Sequence, residues 1–453
     1  MNREAEVSMA NLKKIMRNAF YALPINEATK QSINQKWAEY KLGKEETQDK
    51  KGSIKISGDS KQLDEYVKYI IGSYGRKRKE YRPYIEHSIE SPKVHISAYY
   101  LTQFHPNPEN DEWWGKGTTE WNNVNQAVPQ FIGHYQPRKP GELGYYDLRM
   151  KENIQRQVEL AHNYGISELC FYYYWFDGIR LLERPLDTFL KNKDLNIDFS
   201  YCWANENWTR KFSGTNADAL MKITQTVESY TRFIDAVLGD MKDSRYHKIA
   251  GRPVLSIYRP SNVPDVKKVI ANWNKRAKEV LGVELYLVAV LEANSKADWI
   301  AVGFDAVTEF QPRSVEHNCK EISADVCPIR KDFAGKIYDY EDLVINKRYE
   351  NSRVPKCYPA VMPMWDNTAR RNYRGTIFHG SNPQLYKQWL MDQVSKVLQN
   401  KTIDEKRIYI NAWNEWGEGA YLEPDYEYGY AYLQATYEAV YSCNALWEIE
   451  PNE

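Results

Sequence analysis

The sequence is poor in features that define several large protein classes. Its six cysteines, at positions 170, 202, 319, 327, 357 and 443, form no C-x-x-C pair, so we predict neither a disulfide framework nor a zinc site. No run of about 18 apolar residues occurs, which argues against a transmembrane helix. An N-terminal apolar stretch typical of a signal peptide is also missing, and we expect a cytoplasmic protein.

The chain also lacks a net charge and the common nucleotide and protease motifs. Its 61 lysines and arginines balance 61 aspartates and glutamates, so no overall field gathers nucleic acid or an anionic membrane. The short basic cluster at residues 76–79 is followed by acids, as is typical of a solvated helix end. No G-x-x-x-x-G-K-[ST], H-E-x-x-H, G-x-S-x-G or D-x-D sequence occurs, which disfavours those enzyme classes. We expect no metal and no cofactor.

Aromatic residues, in contrast, are abundant, with 14 Trp, 35 Tyr and 13 Phe. Tyrosine fills a core less readily than leucine, isoleucine or valine because its hydroxyl needs a partner. An excess of tyrosine and tryptophan fits a site that stacks on apolar sugar faces and hydrogen-bonds their edges. A tyrosine-rich core without a ligand gives the same composition.

From residue 93 onward, short apolar runs alternate with helical periodicity. The predicted strands are 94–101, 168–176, 197–204, 253–258, 285–290, 304–310, 358–365 and 407–413, and a last helix follows at about 427–443. Near-continuous apolar strands are typical of a parallel sheet covered by helices. Eight such units predict an α/β fold, a (β/α)₈ TIM barrel. A doubly wound open sheet is disfavoured because its glycine-rich first turn is missing.

Residues 1–92 differ from the predicted barrel at 93–453. They are richer in basic than in acidic residues and show helical spacing within 12–20 and 63–71. The polar stretch between these two runs has the composition of a linker. We therefore predict an N-terminal helical extension and linker at 1–92, outside the catalytic barrel.

The predicted strand ends are loaded with aromatic, amide and acidic side chains. In a (β/α)₈ barrel, function lies where the C-terminal ends of the strands meet their loops, so we expect these side chains to line one cleft. The predicted substrate-binding residues are Tyr99, Tyr100, Gln103, His105, Trp114, Glu120, Trp121, Tyr174, Trp175, Asn205, Glu206, Asn207, Trp208, Trp365, Asn414 and Trp416. His105 and Glu120 fit loop-stabilising roles equally well, and Asp177 and Asp366 fit either binding or capping.

Glu415 and Glu418 form the predicted catalytic pair. Glycosidic-bond chemistry needs one carboxyl group to protonate the leaving oxygen and a second to act as base or nucleophile. These two residues supply both within one turn, and neighbouring like charges push their pKa values apart. Gly417 and Gly419 permit a tight exit from the strand. Glu206 is the alternative, either for the chemistry or for orienting a ligand.

Four segments carry a family resemblance. The strings AYYLTQFHPNPENDEWWGKGTTEW, FYYYWFDGIRLLERPL, YCWANENWTRKFSG and NAWNEWGEGAYLEPD resemble the WbsX family over about residues 93–443. WbsX proteins occur with bacterial surface-polysaccharide (O-antigen and capsule) assembly and carry the name glycosyltransferase. They in turn resemble the family 99 glycoside hydrolases, endo-acting α-mannosidases and α-mannanases with (β/α)₈ barrels.

The E-W-x-E-G motif of family 99 is matched by residues 415–419. The resemblance implies that Glu415 is the base that engages the sugar 2-hydroxyl and that Glu418 is the acid at the leaving oxygen. It also implies retention of configuration through a 1,2-anhydro sugar, without a metal. The hydrolases usually have histidine where this chain has Gly417, so mannose specificity does not carry over directly.

The resemblance implies an endo-α-mannosidase-like enzyme of bacterial surface-polysaccharide metabolism that acts by retaining cleavage or transglycosylation. A glycosyltransferase of O-antigen or capsule biosynthesis is one alternative. A non-catalytic glycan-binding barrel is another, which the intact glutamate pair disfavours. We expect an oligosaccharide or polysaccharide substrate, no nucleic acid, and association with a polysaccharide-assembly complex through residues 1–92.

Overall fold

A closed ring of eight parallel strands forms the centre of the molecule. The computed structural model describes residues 77–87, 92–209, 219–293, 297–329, 332–350 and 354–449. The barrel strands are β1 (His95–Tyr100), β2 (Glu168–Phe176), β3 (Asp198–Trp203), β4 (Arg252–Ile257), β5 (Tyr286–Val290), β6 (Ala306–Thr308), β7 (Cys357–Tyr358 and Ala360–Val361) and β8 (Arg407–Ile410). Each strand pairs in parallel with the next, and β8 pairs with β1.

Strand β7 closes the ring in two halves, separated by Pro359. The first half pairs with β6, where Cys357 lies opposite Val307, and the second half pairs with β8, where Ala360 lies opposite Tyr409. Proline has no backbone N–H to donate to a ladder, so it is tolerated at the point where the strand changes partners. The closed ring confirms the predicted (β/α)₈ barrel and excludes the open sheet.

Helices alternate with the barrel strands along the chain. They are α1 (Pro108–Trp114), α2 (Glu120–Gln126), α3 (Lys151–Asn163), α4 (Arg184–Lys191), α5 (Val227–Val237), α6 (Val266–Leu281), α7 (Trp299–Val302), α8 (Tyr340–Ile345), α9 (Thr368–Arg371), α10 (Pro383–Gln399) and α11 (Ala431–Ile449). Local sequence sets their ends: at α10, the Asn382 side chain accepts hydrogen bonds from the first N–H groups, and Pro383 occupies the first turn. Among the helices described, none has the length and apolar character needed to cross a membrane.

Shorter strands lie outside the ring. They are Ile179–Leu181, Trp208–Thr209, Ala219–Met221, Lys248–Ile249, Lys336–Asp339, Trp365–Asp366, Thr376–His379, Asn414–Glu415 and Ala420–Tyr421. Most predicted barrel-strand ends lie within two residues of the observed ends. The strand predicted at 358–365 ends earlier, at Val361, and Trp365–Asp366 pairs with Thr376–His379 in a separate sheet. The predicted strand 407–413 likewise ends at Ile410.

Residues 77–87 lie against the last strand–helix unit of the barrel. Their backbone forms a β-bridge to Gly429, and the ring of His87 stacks on Tyr437 with 3.7 Å between ring centroids. No helix occurs within residues 77–87. The helices predicted within 1–76 lie outside the described residues, and the domain boundary at residue 92 stays a prediction.

A buried ion cluster joins β1, β2 and β8 at the N-terminal end of the barrel. Arg407 Nη2 lies 2.6 Å from both carboxylate oxygens of Glu168, and both side chains are fully buried. His95 Nε2 contacts the same carboxylate at 2.9 Å. Burial alone raises the pKa of Glu168, but the charges of Arg407 and His247 hold it well below its usual value. Glu168 is therefore ionised in the folded protein.

The ligand atoms of His95, Glu168 and His247 lie within 4.8 Å of one another, a spacing that also suits a metal ion. However, the two ring nitrogens of His247 contact Asp198 at 3.0 Å and Glu405 at 2.9 Å. Burial alone lowers the pKa of His247, but these carboxylates and Glu168 raise it to about 9. Since both ring nitrogens of His247 and the Glu168 carboxylate already contact charged partners, we interpret the cluster as an ion network that fixes three strands.

Replacing Glu168 with glutamine should strongly destabilise the fold, because Arg407 would stay buried without its countercharge. We expect the free energy of unfolding to fall by about 3–5 kcal/mol, measured by urea denaturation with tryptophan fluorescence. Asp235→Asn is the matched control, since it removes a carboxylate from the exposed Arg276 pair and should cost far less. Equal losses in the two variants would contradict the assigned role of the cluster.

Candidate active site

The loop after β8 presents the predicted catalytic pair on a small hairpin. Asn414–Glu415 and Ala420–Tyr421 pair as antiparallel strands, with a 3₁₀ turn at Trp416–Glu418 between them. Gly419 ends this turn with a φ of +57°, a conformation that favours glycine. The Asn414 side chain accepts from the Leu101 N–H at 2.7 Å and donates to the Leu101 carbonyl at 3.0 Å. Asn414 therefore fixes the hairpin to the end of β1. Both the oxygen and the nitrogen of its side-chain amide take part in these hydrogen bonds.

Arg370, on α9, contacts three carboxylates at once. Its Nε lies 2.7 Å from Glu120, its Nη2 lies 2.8 Å from Glu415, and its Nη1 lies 2.8 Å from Glu418. The Glu120 side chain is 1% exposed and that of Glu415 is 6% exposed, whereas that of Glu418 is 23% exposed. The predicted pair is thus held within the span of one guanidinium, and Glu418 is its more accessible member.

Burial of Glu415 and Glu418, together with repulsion between them, favours the protonated forms of these carboxyl groups. Burial raises the pKa of Glu415 to about 8; Glu418 and Glu120 add to the rise, and Arg370 opposes it. Burial likewise raises the pKa of Glu418. Three carboxylates facing one guanidinium leave an excess of negative charge, so the pair keeps a proton at pH values where isolated glutamates are ionised. The pair can therefore offer an acid and a base together.

Gly417 lacks a side chain because the Glu120 carboxylate occupies that space. A Cβ added at Gly417 would lie 1.6 Å from Glu120 Oε1 and 2.9 Å from Arg370 Nε. Glu120 is held at the start of α2, where its N–H donates to the Gln103 carbonyl at 3.0 Å. Of the two motif glycines, Gly419 has a positive φ, whereas Gly417 meets a steric requirement that the sequence did not reveal.

A further buried carboxylate, Glu423, orients the tryptophans beside the pair. It accepts hydrogen bonds from Trp413 at 3.0 Å, Trp416 at 2.6 Å, Tyr146 at 2.8 Å and Gln157 at 2.6 Å. Burial raises the pKa of Glu423 to about 7, while these hydrogen bonds oppose the rise. Trp416 is buried, and its ring stacks on that of Tyr421 in the same hairpin, with 3.7 Å between centroids.

Aromatic rings form a floor next to the carboxylate cluster. The floor consists of Tyr99, Tyr172, Tyr258 and Phe310, whose contacting rings have centroids 5.1 to 6.4 Å apart. Tyr174 follows Tyr172 on the same face of β2 and contacts the Trp208 ring at 5.3 Å. Burial and the charge of Glu415 raise the pKa of Tyr172 and Tyr174 well above the usual value, so both hydroxyls stay protonated beside that carboxylate.

The structure does not bring four other predicted binding residues into this cleft. Tyr100 and Trp175 point outward, because alternate strand residues face opposite sides. The Tyr100 hydroxyl donates to Gln157 at 2.6 Å, and Trp175 packs against the rings of Trp203 and Phe233. Trp121 is buried, with its ring N–H donating to a backbone carbonyl. Trp365 is also buried, in the separate three-stranded sheet.

In the loop after β3, the asparagine side chains hydrogen-bond to backbone groups of the protein. Asn205 donates to the Arg259 carbonyl at 2.8 Å and accepts from its N–H at 2.7 Å, and Asn207 accepts from the Ile223 N–H at 2.9 Å. Glu206 pairs with Arg259 at 2.5 Å, and its side chain is 43% exposed. The charges of both Glu206 and Glu418 act on the Tyr258 hydroxyl, so Glu206 also lies close to the cleft.

The remaining predicted side chains have local roles or lie at the surface. His105 is buried, with Nδ1 3.0 Å from the Thr102 carbonyl, and burial lowers its pKa. Trp114 is exposed at the end of α1. Asp177 hydrogen-bonds Ser229 and the Thr224 N–H, which favours the capping interpretation.

Asp366 is buried and accepts hydrogen bonds at 2.7 Å from His134 and 2.6 Å from Gln136. These contacts also favour a structural role.

Sequence reasoning missed Arg370, Glu423 and also Arg313, whose guanidinium donates to the Tyr258 hydroxyl of the aromatic floor. Arg370 follows the Trp365–Asp366 strand end by four residues, so its position was a usable signal. Acids, amides and aromatic residues mark the strand ends in the sequence, whereas the cations that compensate the acids lie further along the loops.

The family described as Glycosyltransferase WbsX matches residues 96–436. The uncharacterized protein WxcX of Xanthomonas campestris pv. campestris, in strains B100 and ATCC 33913, is 39% identical over 345 residues. The match covers 76% of this chain and 49% of WxcX, so the chain spans about half the length of these curated relatives.

Solved structures show the same fold at low sequence identity. A glycoside hydrolase-like protein is similar with a TM-score of 0.51 and 14% identity, covering 79% of this chain and 97% of that one. The GH99 endo-α-mannosidase from Bacteroides thetaiotaomicron, in complex with Bis-Tris-propane, is similar with a TM-score of 0.50 and 15% identity, covering 80% and 100%.

The closed ring of strands and these structural likenesses define a (β/α)₈ barrel. The chain belongs to the WbsX glycosyltransferase family, which confirms the resemblance found in the sequence.

Replacing Gly417 with alanine should displace the Glu120 carboxylate and destabilise the protein by about 1–3 kcal/mol, the usual range for overpacking. Gly239→Ala is the matched control, because a Cβ there meets open space and φ is −61°. Its expected effect is neutral or slightly stabilising. The measurement is the urea midpoint, repeated in a Glu120→Ala background, where the cost of Gly417→Ala should disappear. An undiminished cost in that background would contradict the steric explanation.

The thermal stability of the free protein should fall as pH rises from about 5 to 9. Glu415 has a pKa of about 8 in the folded state, above its usual value of 4.5, so its favourable contribution is present below pH 4.5 and is lost through pH 8. Glu423, with a pKa of about 7, acts in the same direction. Glu415→Gln should flatten the dependence of Tm on pH, whereas Glu206→Gln should not. Parallel curves for the wild type and Glu415→Gln would reject the raised pKa.

Proposed function

We propose that this chain acts at glycosidic bonds through Glu415 and Glu418, with retention of configuration. The reaction cleaves a glycan or transfers part of it to another sugar, in bacterial surface-polysaccharide metabolism. The observation that carries the proposal is the Arg370 cluster at the C-terminal end of the barrel, in which one guanidinium holds the two carboxylates together. Burial raises the pKa of both carboxyl groups there, against the charge of Arg370.

In the microstate that reacts, the proton retained by the coupled pair lies on Glu418, so Glu415 is ionised. In the first step, Glu415 takes the proton of the sugar 2-hydroxyl, and that oxygen attacks the anomeric carbon. Glu418 protonates the leaving oxygen as the glycosidic bond breaks, which gives a 1,2-anhydro sugar. In the second step, water or an acceptor hydroxyl loses its proton to Glu418 and attacks the anomeric carbon. Glu415 returns its proton to the 2-oxygen, so both carboxyl groups are restored.

Charge conservation in the cluster supports this division of roles. One proton enters at Glu415 while another leaves at Glu418, so the charge facing Arg370 is the same before and after each step. A fixed cation stabilises such a sequence without having to move. Glu418 is the more exposed of the pair, as suits the group that meets the leaving oxygen.

A glycosyltransferase that uses an activated donor is the second candidate, and the family description favours it. A nucleoside diphosphate leaves as a stabilised anion, so that reaction has little need of Glu418 as an acid. The α-mannosides implied by the family 99 resemblance are the first substrates to test. Cytoplasmic location and attachment to an assembly complex through residues 1–92 remain predictions.

The two glutamates should respond differently to the leaving group. Glu418→Gln should lower kcat on an α-mannosyl oligosaccharide by about 10²–10⁴-fold, the usual contribution of a general acid. An α-mannosyl fluoride or an aryl α-mannoside should restore part of that rate, because its leaving group needs less proton donation. Glu415→Gln should not be rescued, since the attacking oxygen stays unactivated.

Glu206→Gln is the matched control and should keep the wild-type preference among leaving groups. Rates are compared by product release, and product stereochemistry is followed by NMR. Equal rescue of both variants, or full activity in either, would falsify the assignment. Glu418→Gln with undiminished activity on a nucleotide-sugar donor would support the transferase instead.

A further inference from the structure

Arg313 differs from the other arginines near the cleft in its partners. Arg370 contacts three carboxylates, and Arg259 pairs with Glu206 at 2.5 Å. For Arg313, within the part of the chain that the structure describes, no carboxylate oxygen lies within ion-pair distance, and its hydrogen bond goes to the Tyr258 hydroxyl. Its charge therefore has no fixed counterion among these residues.

Two rings hold the Arg313 guanidinium beside the aromatic floor. Its central carbon lies 4.6 Å from the Tyr258 ring centroid and 5.1 Å from that of Phe310. Cation–π contacts of this kind orient a guanidinium without neutralising it. Its field reaches Glu418 and lowers the pKa of that carboxyl, against the larger effect of burial. Arg313 is thus a preoriented cation next to the acid of the proposed pair.

Hydrogen bonding at Arg313 is also incomplete. Its Nη1 is buried and has no hydrogen-bond partner among the described residues, although the side chain as a whole is partly exposed. Buried donors without partners are rare in folded proteins, and each calls for an explanation such as a ligand. A guanidinium presents parallel N–H groups that match the two oxygens of a carboxylate or a phosphate.

We propose that Arg313 binds an anionic group, a carboxylate or a phosphate ester, on the sugar that occupies the cleft beside Glu418. This inference rests on the proposed function and adds the charge of the substrate to it. The enzyme then selects acidic glycans over neutral ones of the same size. Arg370 is not available to bind a substrate anion, because its Nε, Nη1 and Nη2 atoms each already contact a carboxylate of the protein.

The test compares matched sugars that differ at one carbon. Methyl α-mannoside, its 6-carboxylate (the mannuronate) and its 6-phosphate are measured by calorimetry, together with an array of neutral, uronate-containing and phosphorylated oligosaccharides. The proteins are the wild type, Arg313→Met, Arg313→Lys and Arg276→Met. Arg276 is an exposed arginine on α6, so its replacement changes the net charge equally but far from the cleft.

The wild type should bind acidic members at least about tenfold more tightly than their neutral counterparts, as expected for one charge-assisted bidentate contact. Arg313→Met should abolish that preference, Arg313→Lys should keep part of it, and Arg276→Met should keep all of it. The carboxylate and phosphate arms show which anion is recognised. Thermal melts of each variant confirm that it is folded.

Equal or weaker binding of the acidic sugars by the wild type overturns the inference, and so does an unchanged preference in Arg313→Met. If Arg313 served only to balance the carboxylate cluster, Arg313→Met would shift the dependence of Tm on pH and leave the preference intact. Arg313-dependent binding without bond cleavage or transfer would keep this inference and reject the proposed function. Cleavage of neutral glycans at a rate that does not depend on Arg313 would keep the proposed function and reject this inference.

Discussion

The contact of Arg370 with three carboxylates is the interaction on which the rest of the candidate site depends. Its members come from α2, α9 and the hairpin after β8, which are distant in sequence and meet at one guanidinium. A buried anion is tolerated only when a countercharge is near. Glu120, Glu415 and Glu418 share one such charge, so their positions are set together, and the protonation of Glu415 is coupled to that of Glu418.

The two ends of the barrel use buried charge in opposite ways. At the N-terminal end, Arg407 and His247 compensate Glu168, and its pKa falls. At the C-terminal end burial raises the pKa of Glu415, and the single cation, which faces three carboxyl groups, does not reverse the rise. The direction of the pKa shift separates an ion network that holds strands together from one that retains exchangeable protons. Conserved charge at the N-terminal end of such a barrel indicates a role in stability, and charge at the C-terminal end indicates a role in function.

The sequence predicted the barrel well, because each strand is a nearly continuous apolar run that helices cover. It also singled out Glu415 and Glu418, because glycines and tryptophans surround them at a strand end. The structure brings both to Arg370, and their catalytic role stays a prediction. It did not predict which aromatic residues face the cleft, although the alternation of β2 places Tyr174 inside and Trp175 outside. Arg370 and Arg313 were missed because a cation reaches its partners through tertiary contacts that have no fixed spacing along the chain. Asn205 and Asn414, predicted to bind substrate, use their side-chain amides to hold backbone groups of neighbouring loops.

The space shared by Gly417 and Glu120 couples two sites far apart in the chain. A side chain at 417 and a glutamate at 120 cannot both fit beside Arg370, so position 417 is free to change only where residue 120 is smaller. Among relatives of this barrel, the residue at the middle of the E-W-x-E-G motif should therefore covary with the first residue of α2. That correlation would divide the family into two groups. In one group the third carboxylate comes from α2 and the middle motif residue is glycine. In the other group a side chain at the middle of the motif fills the same volume.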